Sequence, residues 1–260
     1  MRFAKKSLGQ NFLIDKNIIK KIINLTEVKK KNVLEIGPGT GSLTDEILKK
    51  NPKSLSIIEK DNILTEKLKI KYLGNKKIKI INADILEYDF EKILHKDSVI
   101  FGNLPYNISS QILVKILKLK KWPPNFKDLI LMFQKELGEK ILGKYETSKY
   151  GRLSILVNYR LSTKKKFFVS PNCFFPKPKV ISQVIHFCPK TESKIIKNLD
   201  NLEKITSLLF SNKRKMINKR IKKILNKDQL NKIDGLKLNL RPAQLSPETY
   251  YKITQLFEEK

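Results

Sequence analysis

Asn103-Leu104-Pro105-Tyr106 sets a carboxamide, a carbonyl held ahead of a proline, and an aromatic ring side by side. The amide oxygen of Asn103 and the backbone carbonyl of Leu104 can each accept one N–H bond. Pro105 restricts Leu104 to extended geometry, which aims that carbonyl in a fixed direction. Tyr106 adds a face for stacking. Together these groups suit a planar amine such as the N6 group of adenine. Alone, the string also fits an ordinary strand-to-loop turn.

Three upstream features bear on the choice. Glu35-Ile36-Gly37-Pro38-Gly39-Thr40-Gly41 closes one apolar run and precedes a helical pattern. Glycines there let backbone approach a ligand, and a helix amino terminus attracts negative charge. The spacing is G-x-G-x-G rather than the G-x-G-x-x-G of dinucleotide dehydrogenases. Pro38 also removes a backbone donor, so a ligand without phosphate fits the loop better than a pyrophosphate. Glu59 follows 22 residues after Gly37, where an acid accepts hydrogen bonds from ribose hydroxyls. Asp84 ends the next apolar run; alone it suits a solvated strand end.

These residues need a frame. Strands are expected over Asn32–Ile36, Ser54–Glu59, Ile78–Asn82, Val99–Gly102 and Leu129–Phe133. Helices are expected over Ser42–Lys50, Ile63–Leu73 and Ser109–Leu119, after an Asp15-capped helix at Lys16–Leu25. Such alternation predicts an α/β fold: a Rossmann-like parallel sheet with helices on both faces. Glu59, Asp84 and Asn103 then stand at three successive carboxyl ends, facing one crevice. Tyr150–Tyr159 suits either helix or strand. Phe167–Val169 and Val180–Phe187 read as antiparallel edge strands flanking the loop Pro171–Pro178. Beyond Pro189 strand signals stop, and helices are expected over Leu199–Phe210, Lys213–Leu225 and Pro247–Phe257. The expected division is a catalytic domain over 1–189 and a small helical domain over 190–260.

Composition narrows the class. The 54 basic residues exceed the 25 acidic ones, giving +29. An AT-rich genome explains lysine over arginine better than it explains that sign. The excess implies a polyanionic partner, nucleic acid first. Ser211–Lys223 carries Lys213, Arg214, Lys215, Lys219, Arg220, Lys222 and Lys223 with no acid. On a helix, Met216, Ile217, Ile221 and Ile224 would face the core. The basic face reads as RNA-binding or as merely solvated. No apolar run is long enough to span a bilayer. Met1–Lys6 is basic with no apolar h-region after it, so no secretory signal is expected and the chain reads as cytoplasmic. Cys173 and Cys188 form no Cys-x-x-Cys pair, and His95 and His186 are isolated, so neither disulfide nor metal site is expected.

The glycine loop, Glu59, Asp84 and Asn103–Tyr106 resemble the S-adenosylmethionine-dependent adenine-N6 methyltransferases. More narrowly, they resemble the small-subunit (16S) rRNA adenine N6,N6-dimethyltransferase family. Ser7-Leu8-Gly9-Gln10-Asn11-Phe12-Leu13, Phe174-Phe175-Pro176-Lys177-Pro178-Lys179-Val180 and, more loosely, Phe210–Lys215 extend the match over most of the chain. Asn212-Lys213 departs from the Gln-Arg pair common there, which touches only details of RNA contact. The resemblance implies S-adenosyl-L-methionine as cofactor. Asn11 and Leu13 would cover it, with Gly37 beside its methionine part and Gly39 also among the residues that bind it. Glu59 would hold its ribose, Asp84 its adenine amine, and Asn103 the join of cofactor and substrate. Tyr106 and Phe174 would sandwich the target base, although an aromatic in a proline loop also suits a core position. The implied activity is dimethylation of two adjacent adenosines near the 3′ end of small-subunit rRNA, in an immature 30S particle, by a monomer. The alternatives are a large-subunit rRNA methyltransferase of the antibiotic-resistance type and a largely non-catalytic rRNA-binding assembly factor. A DNA methyltransferase lacks a recognition region here, and a dehydrogenase is disfavoured by the glycine spacing.

Overall fold

The computed structural model describes residues 10–191 and 196–259; Met1–Lys6 and the Ser7, Leu8 and Gly9 of the amino-terminal match lie outside them. The chain forms two compact units. One takes residues up to Gly138 together with Ser162–Pro189, and the other takes Glu139–Leu161 together with the residues from Lys190 onward.

The first unit opens with a short strand, β1 (Phe12–Leu13), and α1 (Lys16–Ile23). Asp15 caps α1, its Oδ1 accepting the amides of Asn17 and Ile18 at 2.8 and 3.0 Å. There follow β2 (Asn32–Ile36), α2 (Ser42–Lys49), β3 (Ser54–Glu59), α3 (Asn62–Lys71), β4 (Ile78–Asn82), β5 (Ser98–Asn103), α4 (Ser109–Leu117), β6 (Phe126–Gln134) and α5 (Lys135–Ile141). The unit resumes with β7 (Leu161–Val169), β8 (Phe174–Phe175) and β9 (Ser182–Pro189).

Seven strands form one sheet in the order β4-β3-β2-β5-β6-β9-β7. The pairs β2–β3, β3–β4, β2–β5 and β5–β6 are parallel, and β9 runs antiparallel to β6 with Leu131 opposite Ile185. Val33, Val99 and Phe101 share a core with Ile19 and Ile22 of α1, Leu43 and Ile47 of α2, and Leu68 of α3. Their neighbours of opposite parity, Leu34, Ile36, Ile100 and Leu131, are buried as well, as are Ile112, Leu113 and Ile116 of α4. A sheet buried on both faces explains why its strands read as apolar runs rather than alternations. Fully burying a side chain such as Phe101 contributes about 1.5–3 kcal/mol.

The second unit is helical: α6 (Arg152–Arg160), α7 (Leu199–Phe210), α8 (Asn218–Ile221), α9 (Lys227–Asn231) and α10 (Pro247–Glu258). The ambiguous stretch Tyr150–Tyr159 is thus helical and belongs here, so the expected unbroken domain over 1–189 is interrupted. The cause is packing: Ile155, Leu156, Val157 and Tyr159 are buried, the Tyr159 and Tyr251 rings lie 4.8 Å apart, and Tyr251 donates to the Ile155 carbonyl.

The continuous helix expected over Lys213–Leu225 is not formed; α8 is a single turn. The Ile217 amide donates to the Leu240 carbonyl at 2.9 Å instead of continuing a helical ladder, and Arg220 and Lys223 make tight i→i−3 bonds. Ile217, Ile221 and Ile224 are buried as expected, whereas Met216 is exposed. Among the described residues no helix is long and apolar enough to cross a membrane.

Candidate active site

The sheet order reverses between β2 and β5: β3 and β4 build outward on one side, and β6 on the other. At such a switch point the loops leave in opposite directions and open a crevice beyond the carboxyl ends. Gly37 closes β2 and Asn103 closes β5 at that point. A Cβ built on Gly37 would stand 3.6 Å from the Asn103 carbonyl oxygen, so the two loops touch. The crevice is an open cleft of about 930 Å³, lined by Asn11, Leu13, Gly37, Gly39, Glu59, Asn103, Leu104, Pro105 and Tyr106, with Phe12, Thr40 and Lys60 among others.

The glycine loop is built for close approach. Gly39 has φ +58, and a Cβ there would lie 2.8 Å from the Phe12 ring. Its amide donates to Glu59 Oε2 at 3.2 Å, that of Gly37 to the Ile58 carbonyl at 2.9 Å, and that of Gly41 to the Pro38 carbonyl at 2.9 Å. All three glycine amides are therefore engaged within the protein, and the loop is no phosphate cradle. Glu59 also accepts the Asp61 amide at 2.9 Å through Oε1. Burial raises its pKa, and the amide bonds from Asp61 and Gly39 oppose that rise.

Asn103 donates from Nδ2 to the Asn11 carbonyl at 3.2 Å. That bond assigns the amide nitrogen and leaves Oδ1 as the acceptor end of the side chain. Leu104 is buried, anchoring the run from below. Tyr106 is half-buried, with its hydroxyl 2.6 Å from Ser182 Oγ, and burial raises its pKa so that it stays a neutral phenol. Beneath the loop, Glu35 is fully buried; Thr44 donates to its Oε2 at 2.6 Å, and burial pushes its pKa to about 8.

Two expected site residues stand elsewhere. Asp84 does not line the cleft: Lys60 Nζ lies 2.6 Å from its Oδ2, the Leu86 amide bonds Oδ1, and the ammonium holds its pKa down. Phe174 is 3% exposed and packs in the core beside Val169, because the antiparallel pair β1–β8 sets it opposite Leu13. A free stacking face on Phe174 is therefore not offered. Lys60 and Ser182 were not foreseen; neither carries a sequence signal, since each matters through a partner distant in the chain. The basic residues Lys213, Arg214, Lys215, Lys219, Lys222 and Lys223 are exposed and Arg220 is half-exposed, all in the second unit.

An open crevice at the switch point of a parallel sheet, with an antiparallel strand on the β6 side, is the architecture of the S-adenosylmethionine-dependent methyltransferases. Within that class the chain belongs to the ribosomal RNA adenine dimethylase family, whose model matches residues 1–259. It is similar to Ribosomal RNA small subunit methyltransferase A of Pelagibacter ubique, being 45% identical over 260 residues, 98% of this chain and 97% of the relative. A solved dimethyladenosine transferase from Plasmodium falciparum superposes with TM-score 0.80 at 28% identity, covering 95% of this chain and 98% of that one. The 23S rRNA methyltransferase ErmE shares the fold, with TM-score 0.67 at 23% identity over 95% of this chain and 100% of its own.

Proposed function

We propose that this chain transfers methyl groups from S-adenosylmethionine to the N6 amines of two adjacent adenosines near the 3′ end of small-subunit rRNA, in an immature 30S particle. The reading is carried by the meeting of Gly37 and Asn103 at the switch point, which sets a cofactor loop against an amine-gripping turn. The residues fit this cofactor. Glu59 is an acceptor at the cleft for ribose hydroxyls, and a loop whose glycine amides are already engaged suits a ligand without phosphate.

Bound S-adenosylmethionine supplies an activated methyl group. The chain's part is to make N6 a competent nucleophile. The amine lone pair is delocalised into the ring, so it must pyramidalise. The Asn103 Oδ1 and the Leu104 carbonyl accept its two hydrogens, and those bonds strengthen as N6 gains positive charge. Tyr106 stacks on the extruded base, its ring fixed by the bond to Ser182. Asn11 holds the Asn103 carboxamide in register, and Leu13 covers the cofactor side. The proton left on N6 is acidic after attack and departs to water. Lys213, Arg214, Lys215, Lys219, Arg220, Lys222 and Lys223 bind rRNA phosphates, and the chain acts as a cytoplasmic monomer. The role foreseen for Phe174 would need the β1–β8 pair to rearrange, whereas the Asp84 carboxylate keeps acceptor capacity beside Lys60, which lines the cleft.

The test is transfer of labelled methyl groups to immature 30S particles, with the modified nucleosides located by mass spectrometry. The expected product is dimethyladenosine at two adjacent positions of small-subunit rRNA. Label in large-subunit rRNA alone, or binding without transfer, would overturn the reading.

A further inference from the structure

His186 and Cys188 lie two residues apart on β9, so their side chains share one face of the sheet. The antiparallel register of β6 and β9, with Ile130 opposite His186 and Leu129 opposite Phe187, brings Asp128 beside them. Asp128 Oδ1 stands 2.5 Å from His186 Nε2, and Cys188 Sγ stands 3.6 Å from that oxygen and 3.9 Å from that nitrogen. The histidine that looked isolated in the chain is therefore one of three unlike donors facing one another.

A nucleophilic relay would bind the thiol through one ring nitrogen and the carboxylate through the other. Here Nε2 faces both, while Nδ1 is buried without a partner. An oxygen, a nitrogen and a sulfur converging on a common point is chelate geometry. We propose that Asp128, His186 and Cys188 form a binding site for a divalent zinc-type cation. Thiolate, imidazole and carboxylate together suit zinc rather than magnesium or calcium. Around a tetrahedral ion with bonds of about 2.0–2.3 Å, donor atoms lie roughly 3.2–3.8 Å apart. The Cys188–Asp128 separation already falls in that range, the Cys188–His186 separation of 3.9 Å lies just above it, and the Asp128–His186 contact must open by less than about 1 Å on that geometry. Thr26 Oγ1 donates to Asp128 Oδ2 at 2.8 Å, orienting the carboxylate so that Oδ1 meets the other two donors. A water from the open hollow lined by Thr26, Lys127, Asp128 and Lys164 completes the coordination. Loading releases the Cys188 thiol proton to solvent, and His186 ligates through Nε2 as a neutral imidazole with its single ring proton on Nδ1, with no change of oxidation state. The exposed Lys164 ammonium, 3.8 Å from Oδ1, moves aside.

The site serves stability rather than transfer. Asp128 pairs with Val99 at the start of β5, whereas the cleft lies beyond the other end of that strand. The ion would tie β6 to β9 at their far end.

Metal-stripped full chain is titrated with Zn²⁺ by calorimetry and with Co²⁺ by optical spectroscopy. One ion per chain and a sulfur-to-cobalt charge-transfer band are expected. Cys188→Ser should abolish the band and weaken Zn²⁺ at least tenfold, Asp128→Asn should weaken it similarly, and Cys173→Ser should change neither. No stoichiometric binding by the unaltered chain, or a band that survives Cys188→Ser, overturns the proposal. Cys188 is half-buried and serine is its near-isostere, so that variant decides the matter even where Asp128→Asn does not fold.

Discussion

Glu35 carries the molecule's clearest pH signature. Unfolded, a glutamate gives up its proton near 4.5, whereas folded Glu35 keeps it to about 8, because burial disfavours the anion. Between those values the folded state holds more protons than the unfolded one, so stability falls as pH rises through the window. Glu35→Gln should flatten that fall, which amounts to at most about 1.4 kcal/mol per pH unit. Urea midpoints followed by circular dichroism at pH 5 and pH 8 measure it; equal slopes in both proteins would sink the assignment. Asn103→Ala removes one of the two acceptors proposed for the amine and should lower methyl transfer about 100-fold or more with the fold intact. At Tyr106 the ring and the hydroxyl separate cleanly. Tyr106→Phe keeps stacking and loses only the Ser182 bond, so it should change kcat/KM little. Tyr106→Ala should cost about tenfold or more, the order of base–aromatic stacking.

At the scale of elements, the most sensitive joint is the β2–α2 loop. Gly39→Ala forces a Cβ into the Phe12 ring at a positive φ, pushing β1 off the loop. It should destabilise the fold by about 1–2 kcal/mol and weaken cofactor binding, read by thermal melting and by S-adenosylmethionine calorimetry. What the sequence made legible follows from whether a signal was local. The parallel strands from Asn32 to Gln134 came within a few residues of the observed bounds, since buried strands write themselves as apolar runs between turns. The Asp15 cap was equally local. The break in Lys213–Leu225 was hidden because it depends on Leu240, and the choice between a core and a stacking position for Phe174 stayed open because it depends on pairing with Leu13. Asp84 looked like a crevice residue by position; the lysine that occupies it comes from the neighbouring strand's end.

For the whole molecule, +29 is the number that governs encounter with RNA. Affinity for rRNA should fall steeply with salt. Replacing Lys213, Arg214 and Lys215 together by alanine should reduce the log–log salt slope by up to about three while leaving cofactor affinity unchanged. An unchanged slope would mean that this stretch is only a solvated surface. The division into units has a consequence for biogenesis. Three chain crossings, near residues 138, 161 and 189, join the two bodies, so no single cut separates them. During translation α6 leaves the ribosome well before α7 and α10, which supply its covering side chains. Until those helices arrive, a greasy stripe of Ile155, Leu156 and Val157 stands naked on the nascent polypeptide, an invitation to chaperones and a hazard in any truncated product.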